Sequence, residues 1–343
     1  MSVDAVAVTP RYRVRRATST SRVFAIVFVV GVAVLADLPA WGSPSLMRKL
    51  VELFVLVALA QMWNLLAGYA GLVSIGQQAF VGLGAYGLIV FANNLGWNVY
   101  VAVAPAAVAA AVLAVPIGLL AFRLRGGYFA VGTWVIAEVV ALVVANNSAV
   151  GGGSGVSLQV GGYDIVTRQR TTYWLALALG VSAVLIAYVV LRSRLGLALQ
   201  AIRSSEAGAS GLGANVYAAK FAVYVIAALW TGLAGAVYYL ANLRVQPTAA
   251  FSVATWTAPV IFIVVIGGLG TIEGPIVGAI VYYVLRDRFA DYATWYLMGL
   301  GVLSIIAAVW VRRGLWGTVA HRFGIRLFPV QRRVTRTGPP VSR

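Results

Sequence analysis

Apolar runs of about twenty residues follow one another along almost the whole chain, and they limit the possible fold more than any motif does. A helix needs about 20 such residues to cross a bilayer. Runs of this kind fall at 23–39, 47–66, 75–92, 99–122, 128–147, 173–191, 217–241, 253–268, 272–286 and 293–311. The expected fold is therefore all-α, a polytopic integral membrane protein of about 10 membrane segments that include a glycine-broken hairpin. Hydrophobic residues make up 61% of the 343 positions and charged residues 10%, which leaves no stretch for a soluble catalytic domain. The expected organisation is a basic tail at 1–22, a transmembrane domain at 23–311 with a polar loop at 192–216, and a second basic tail at 312–343.

The net charge of +17 is distributed as membrane orientation requires, not as a nucleic-acid surface would require. Arg11, Arg13, Arg15, Arg16 and Arg22 precede the first run, and Arg312, Arg313, Arg322, Arg326, Arg332, Arg333, Arg336 and Arg343 follow the last. Arg123 and Arg125, then Arg192, Arg194, Arg203 and Lys220, lie between runs. Such clusters mark the cytoplasmic side, so both termini are expected in the cytoplasm and an even number of crossings follows. Smaller clusters depart from this pattern at Arg48/Lys49, Arg168/Arg170, Arg244 and Arg286/Arg288. The chain has no cysteine and one histidine, His321, in the basic tail, which excludes a His-based metal site or triad within it. The run after the first arginines lacks a small-x-small cleavage pattern, so a retained first helix is expected.

Two segments break the apolar pattern. Residues 68–87 begin as a polar, glycine-rich elbow, and residues 267–278 split a long apolar stretch into two short pieces. Such breaks survive at membrane depth only where protein or a water-filled cavity covers the freed backbone, and they point to a transport pathway. Gly82, Gly84, Gly232 and Gly235 read as close helix packing. Ser74, Gln77 and Gln78 need polar partners near membrane depth, and with Gly268 and Gly270 they form the candidate pathway. With Asp37 and Glu52 near the outer ends of their runs, Asp164, Asp287 and Asp291 in outer loops and Glu206 in a polar loop, Glu138 and Glu273 are the two candidate intramembrane carboxylates. A charge there costs about 2.5–3.5 kcal/mol on insertion scales. Glu273 falls in the 267–278 turn, where it is either a pathway residue or simply wet. Glu138, near the middle of its run, is the better candidate, either a pathway residue or a hydrogen-bonded tie between helices.

Residues 195–220 are a polar, small-residue island between two apolar runs. Ser204 and Ser205 can cap a short helix there, Glu206 sits in its first turn where the dipole favours negative charge, and Gly213 can end it. A P-loop needs Gly-Lys before Ser or Thr. The lysines, Lys49 and Lys220, follow Arg48 and Ala219, so this chain hydrolyses no nucleotide through such a loop. Any motor is expected to be another subunit that presses on the island.

In order along the chain, residues 64–71 (NLLAGYAG), 74–80 (SIGQQAF), 82–86 (GLGAY) and 123–130 (RLRGGYFA), then Ala137-Glu138, carry a resemblance. Asn146, Asn147, the glycines of 151–155, the loop 196–215, Gly267-Gly268-Leu269-Gly270-Thr271 with Gly274-Pro275 and Gly278, and 313–317 (RGLWG) continue it. Together they resemble the LivM-type branched-chain amino-acid permeases of ATP-binding-cassette importers. Gln77 stands where many relatives carry His, and Arg312 where they carry Pro. The resemblance implies a multi-pass subunit of the bacterial inner membrane that is not itself an enzyme and holds no cofactor, since ATP is used by its partners. It implies a LivH-type sister permease, two cytoplasmic ATP-binding subunits and an extracytoplasmic amino-acid-binding protein. It assigns Arg203, Glu206, Ala207, Leu212 and Gly213 to ATPase coupling. A permease for urea, short amides or another small polar solute is the alternative within the superfamily, and an ion-coupled carrier built on Glu138 or a passive channel the alternatives outside it.

Overall fold

The computed structural model describes residues 12–15, 19–162, 164–289, 294–311, 313–323, 327–328 and 333–336. The first half runs β1 (Tyr12–Arg15), α1 (Ser19–Trp41), α2 (Pro44–Asn64), α3 (Gln77–Ile89), α4 (Val103–Ala121), α5 (Gly127–Ala145), β2 (Val156–Ser157) and α6 (Ile165–Arg192). A polar pair follows, α7 (Arg194–Ser204) and α8 (Glu206–Gly211). The second half comprises α9 (Val216–Asn242), β3 (Arg244–Val245), α10 (Pro247–Ala250), α11 (Ala258–Gly267), α12 (Gly274–Phe289), α13 (Thr294–Trp310), α14 (Gly314–Phe323) and β4 (Arg333–Arg336). Turns of π-helix extend α2 (Leu65–Tyr69) and α3 (Val90–Asn94) and lead into α11 (Val253–Thr257).

Local chemistry sets the helix ends. Ser43 caps α2 with its hydroxyl on the Leu46 N–H, and Pro44 occupies the first turn, where its missing N–H is harmless. The Asp164 carboxylate accepts from the Val166 N–H at 3.2 Å and starts α6 at Ile165, earlier than the apolar run that begins at 173. The added turns carry Arg168 and Arg170, whose charge interrupts the hydropathy but not the helix.

The α2 helix is the centre of the molecule. Every residue from Val55 to Tyr69 is buried, and the helix packs against α6, α9, α11 and α12. The α3 helix packs against α4 and α9, which also pack on each other, and glycines set its approach to α9. A Cβ on Gly84 would sit 1.9 Å from the Gly232 carbonyl oxygen, and one on Gly235 would sit 2.1 Å from that of Val81. Gly82 faces the Phe251 ring in the same manner. The Gly84 and Gly235 contacts are backbone-to-backbone and of the small-residue type, whereas Gly82 makes room for a ring; close packing is the role read for these glycines from the sequence.

Among the described residues, seven helices are long and apolar enough to cross a membrane: Val23–Trp41, Pro44–Tyr69, Val103–Ala121, Gly127–Ala145, Ile165–Arg192, Val216–Asn242 and Pro247–Gly267. The other expected segments, at 75–92, 272–286 and 293–311, correspond to the shorter α3, α12 and α13. The loops fall into two groups. At one end α7, with α8 beside it, meets the π turn that ends α2 and the α11–α12 turn. At the other, β2 pairs with β3 (Val156↔Val245), and Asn94 donates to the Ala149 carbonyl at 3.1 Å. Tyr12–Arg15 and Arg333–Arg336 of the two tails pair antiparallel, from Tyr12↔Arg336 to Arg15↔Arg333.

Candidate functional site

The polar island folds as two short helices where the sequence suggested one. Ser193 caps α7 through its hydroxyl on the Leu195 N–H at 3.1 Å, and Gly196, Leu199 and Ile202 form its buried face. Ser205 caps α8 on the Gly208 N–H at 3.1 Å, and Gly213 leaves it at φ 84°. Ala209 anchors α8 at 3% exposure, whereas Leu212 is 88% exposed. Glu206, Ala207 and Gly213 are exposed around it. Glu206 forms an ion pair with Lys220 at the start of α9.

Arg203, at the end of α7, ties this island to the membrane domain. Its guanidinium donates to the Gly68 carbonyl, one of the last carbonyls of the α2 helix and its π turn. Such carbonyls lack a partner within the helix, and a cation there is favoured by the helix dipole. The same place receives the α11–α12 turn. The Asn64 amide donates to the Thr271 carbonyl at 2.8 Å and its oxygen accepts from the Gly270 N–H at 2.8 Å. Gln61 donates to the Ile272 carbonyl at 2.5 Å. Gly270 adopts φ 80°, and a Cβ there would meet Arg203 Nη1 at 2.7 Å. Gly314, opening α14, has its backbone against Gly268, where a Cβ would sit 2.4 Å from the Gly268 Cα. Stretches far apart in sequence thus converge on one joint of backbone, an amide and a guanidinium.

Glu273 lies on the α11–α12 turn, half-buried, and not in the middle of the membrane domain. Its Oε1 accepts from the backbone N–H groups of Leu327 and Phe328 at 3.2 and 3.0 Å. The Phe328 ring packs on Phe24 and Tyr188 at 5.2 and 5.5 Å between centroids. The carboxylate holds the segment that follows α14.

Ser74, Gln77 and Gln78 are buried inside the protomer. The Ser74 carbonyl accepts from the Trp63 indole at 2.9 Å, closing the elbow. Gln77 Nε2 donates to the Leu59 carbonyl at 3.0 Å and the Thr231 hydroxyl at 3.1 Å. Gln78 Oε1 accepts from the Thr257 hydroxyl at 2.5 Å. Gln77 Oε1 and Gln78 Nε2 have no hydrogen-bond partner among the described residues. The elbow touches α5 at Thr133, whose hydroxyl accepts from the Ile75 N–H at 3.1 Å. A Cβ on Gly76 would fall 2.2 Å from the Thr133 carbonyl oxygen.

Glu138 lies further along α5, on a face that includes exposed Val131, Trp134, Val135, Val139 and Leu142. The Trp134 indole donates to its Oε1 at 3.1 Å. Only 17% of the α5 span is buried, so Glu138 points out of the protomer from the middle of an apolar helix. The structure therefore brings Arg203, Gly268 and Gly270 together, sets Glu273 on the same turn, and leaves Glu138 farther along the helix whose Thr133 meets the elbow. Asn64, Gly68 and Thr271, read from the sequence only among the motifs that carry the resemblance, complete the joint. Thr133, which was not singled out there, holds the elbow to α5.

These features define a multi-pass α-helical membrane protein whose polar two-helix loop is keyed by an arginine into two glycine-broken segments. The sequence profile of the family described as "Branched-chain amino acid transport system / permease component" matches residues 45–310. The chain belongs to this family. It is similar to the high-affinity branched-chain amino acid transport system permease protein LivM of Escherichia coli (strain K12), with 28% identity over 279 residues. It is 27% identical to the LivM protein of Salmonella typhimurium (strain LT2) over the same length. Each alignment covers 74% of this chain, and the chain spans 65% of the length of these curated relatives. No solved structure matches the chain.

Proposed function

We propose that this chain is a membrane-spanning subunit of an ATP-binding-cassette importer for branched-chain amino acids in a bacterial inner membrane. In this reading a LivH-type sister permease completes the pore, two cytoplasmic ATP-binding subunits drive it, and an extracytoplasmic binding protein delivers the amino acid. The chain crosses ten times, with α3, α12 and α13 as the shorter crossings and both paired tails in the cytoplasm.

The observation that carries the reading is the Arg203–Gly68 contact beside Gly270. It gives a force on α7 and α8 a direct route to both broken segments, and from the elbow to α5. The ATPase docks on the exposed surface of Glu206, Ala207, Leu212 and Gly213. An 88% exposed leucine on a polar loop gains free energy when a protein cleft covers it. The pathway follows the α5 face. A carboxylate facing lipid costs about 2.5–3.5 kcal/mol, so Glu138 faces the sister permease across the pathway. Ser74, Gln77 and Gln78 hold the elbow at the pathway's wall, and Gly268, Gly270 and Glu273 shape its cytoplasmic mouth.

The test is substrate-stimulated ATP hydrolysis in proteoliposomes that hold the assembled complex. Leucine-loaded binding protein is expected to stimulate hydrolysis, and Glu206→Arg is expected to abolish stimulation while insertion stays intact. Stimulation by urea and not by leucine would replace the substrate. Uptake that survives ATP depletion but collapses with a protonophore would replace the whole reading with an ion-coupled carrier.

A further inference from the structure

Basic clusters that depart from the charge pattern of the other loops meet in one place. Arg48 and Lys49 on α2, Arg168 on α6 and Arg286 on α12 line a single cavity of about 480 Å³, together with Glu52 and Thr172. It lies at the end of the molecule opposite α7 and α8, where these helices leave the apolar layer. Nothing in the coupling or pathway reading uses it.

The charges in this cavity do not cancel. Lys49 is paired with Asp287 at 2.8 Å, and Arg286 donates to Glu52. Arg48 and Arg168 have no acidic partner among the described residues, which leaves two guanidinium groups in excess. Thr172 is 3% exposed, and its hydroxyl has no hydrogen-bond partner among the described residues. A buried hydroxyl without a partner calls for an explanation, such as a ligand that supplies one. Planar guanidinium groups bind phosphate oxygens in bidentate fashion, and such pairs are the strong form of hydrogen bond. A zwitterionic amino acid suits the cavity less well. Glu52, the lining carboxylate, is already engaged by Arg286, so no free carboxylate remains for an ammonium group.

We propose that this cavity binds the phosphate of an anionic phospholipid headgroup, held by Arg48, Arg168 and the Thr172 hydroxyl. Basic pockets between membrane helices bind such headgroups by the same chemistry. With the topology proposed above, the lipid belongs to the outer leaflet.

Native mass spectrometry of the full chain, purified in mild detergent and offered phosphatidylglycerol or phosphatidylcholine, tests the site. The wild-type chain is expected to retain phosphatidylglycerol preferentially. The double variant Arg48→Gln/Arg168→Gln should lose that adduct by about tenfold or more, as the loss of charge-assisted contacts implies. Equal retention of the two lipids, or unchanged retention in the double variant, would overturn the proposal. If the double variant does not fold, Thr172→Val serves in the same assay: a weaker phosphatidylglycerol adduct supports the site, and an unchanged one refutes it. Melting curves of the delipidated chain separate the sources. Stabilisation by short-chain phosphatidylglycerol but not by inorganic phosphate supports the lipid, and equal stabilisation by both overturns it in favour of a soluble anion.

Discussion

Gly270→Ala isolates the joint between the island and the membrane domain, because it adds one methyl group and removes nothing. Two effects follow from the geometry. Gly270 adopts φ 80°, and an L-residue in the left-handed region costs about 1–2 kcal/mol. The new Cβ would also lie 2.7 Å from Arg203 Nη1 and 3.3 Å from the Gly68 carbonyl oxygen. The arginine is the flexible partner, so it swings away and gives up its bond to Gly68. A hydrogen bond from a charged group contributes about 1.5–3 kcal/mol, and the lower end suits this partly exposed side chain. The substitution therefore destabilises the joint by about 3 kcal/mol in all, about half from strain and half from the lost contact. Arg203→Gln removes the same contact without the strain. The double variant should then cost less than the sum of the single variants, with a coupling equal to the shared contact, about 1.5 kcal/mol. The assay pairs thermal unfolding of the purified chain with stimulated ATP hydrolysis in the assembled complex. Both single variants are expected to keep inserting and to lose most of the stimulation. Normal stimulation in Gly270→Ala, or strictly additive stability effects, would refute the joint as the route of force.

Gly84→Ala places a Cβ 1.9 Å from the Gly232 carbonyl oxygen, where no flexible side chain can yield. Overpacking of this kind costs about 1–3 kcal/mol, so the thermal midpoint in detergent should fall clearly, and an unchanged midpoint would contradict the α3–α9 approach. Glu138→Gln alters an exposed side chain and should leave that midpoint in place while reducing amino-acid uptake by the complex; full uptake would remove Glu138 from the pathway. Glu273→Ala deprives the Leu327 and Phe328 N–H groups of their acceptor. Limited trypsin digestion should then cut the arginine-rich C-terminal segment faster than in the wild-type chain, and equal rates would show that the carboxylate holds nothing.

Features that rest on local chemistry were legible in the sequence. The apolar runs locate the helices, the small residues at Gly84, Gly232 and Gly235 mark a close approach, and Ser205 and Gly213 bracket α8. Hydropathy failed where a helix carries charge, so the start of α6 was missed although Asp164 caps it. It also failed for α7, whose buried Leu199 and Ile202 read only as part of a polar island. Contacts between distant residues were out of reach. Nothing near Arg203 in sequence signals that it meets Gly68 and Gly270, since folding alone brings α7 under the elbow. The place of Glu273 on a turn and of Glu138 in mid-run was legible, but not that Glu138 faces outward from α5 or that Glu273 holds the backbone of Leu327 and Phe328. Likewise, Arg48 and Arg168 stand out singly as departures from the charge pattern, and only the packing of α2 against α6 places them in one cavity.

The central claim, that a separate ATPase drives this chain through α7 and α8, is tested most directly at Leu212. The chain contains no cysteine, so Leu212→Cys provides a single attachment point for a photoactivatable cross-linker in the otherwise unaltered protein. In the assembled complex, illumination should join this position to the ATP-binding subunit, with a yield that changes when ATP is added. An ATP-binding subunit that cross-links equally well to a cysteine at exposed Trp97, among the loops of the opposite end, and not to one at Leu212 would contradict it.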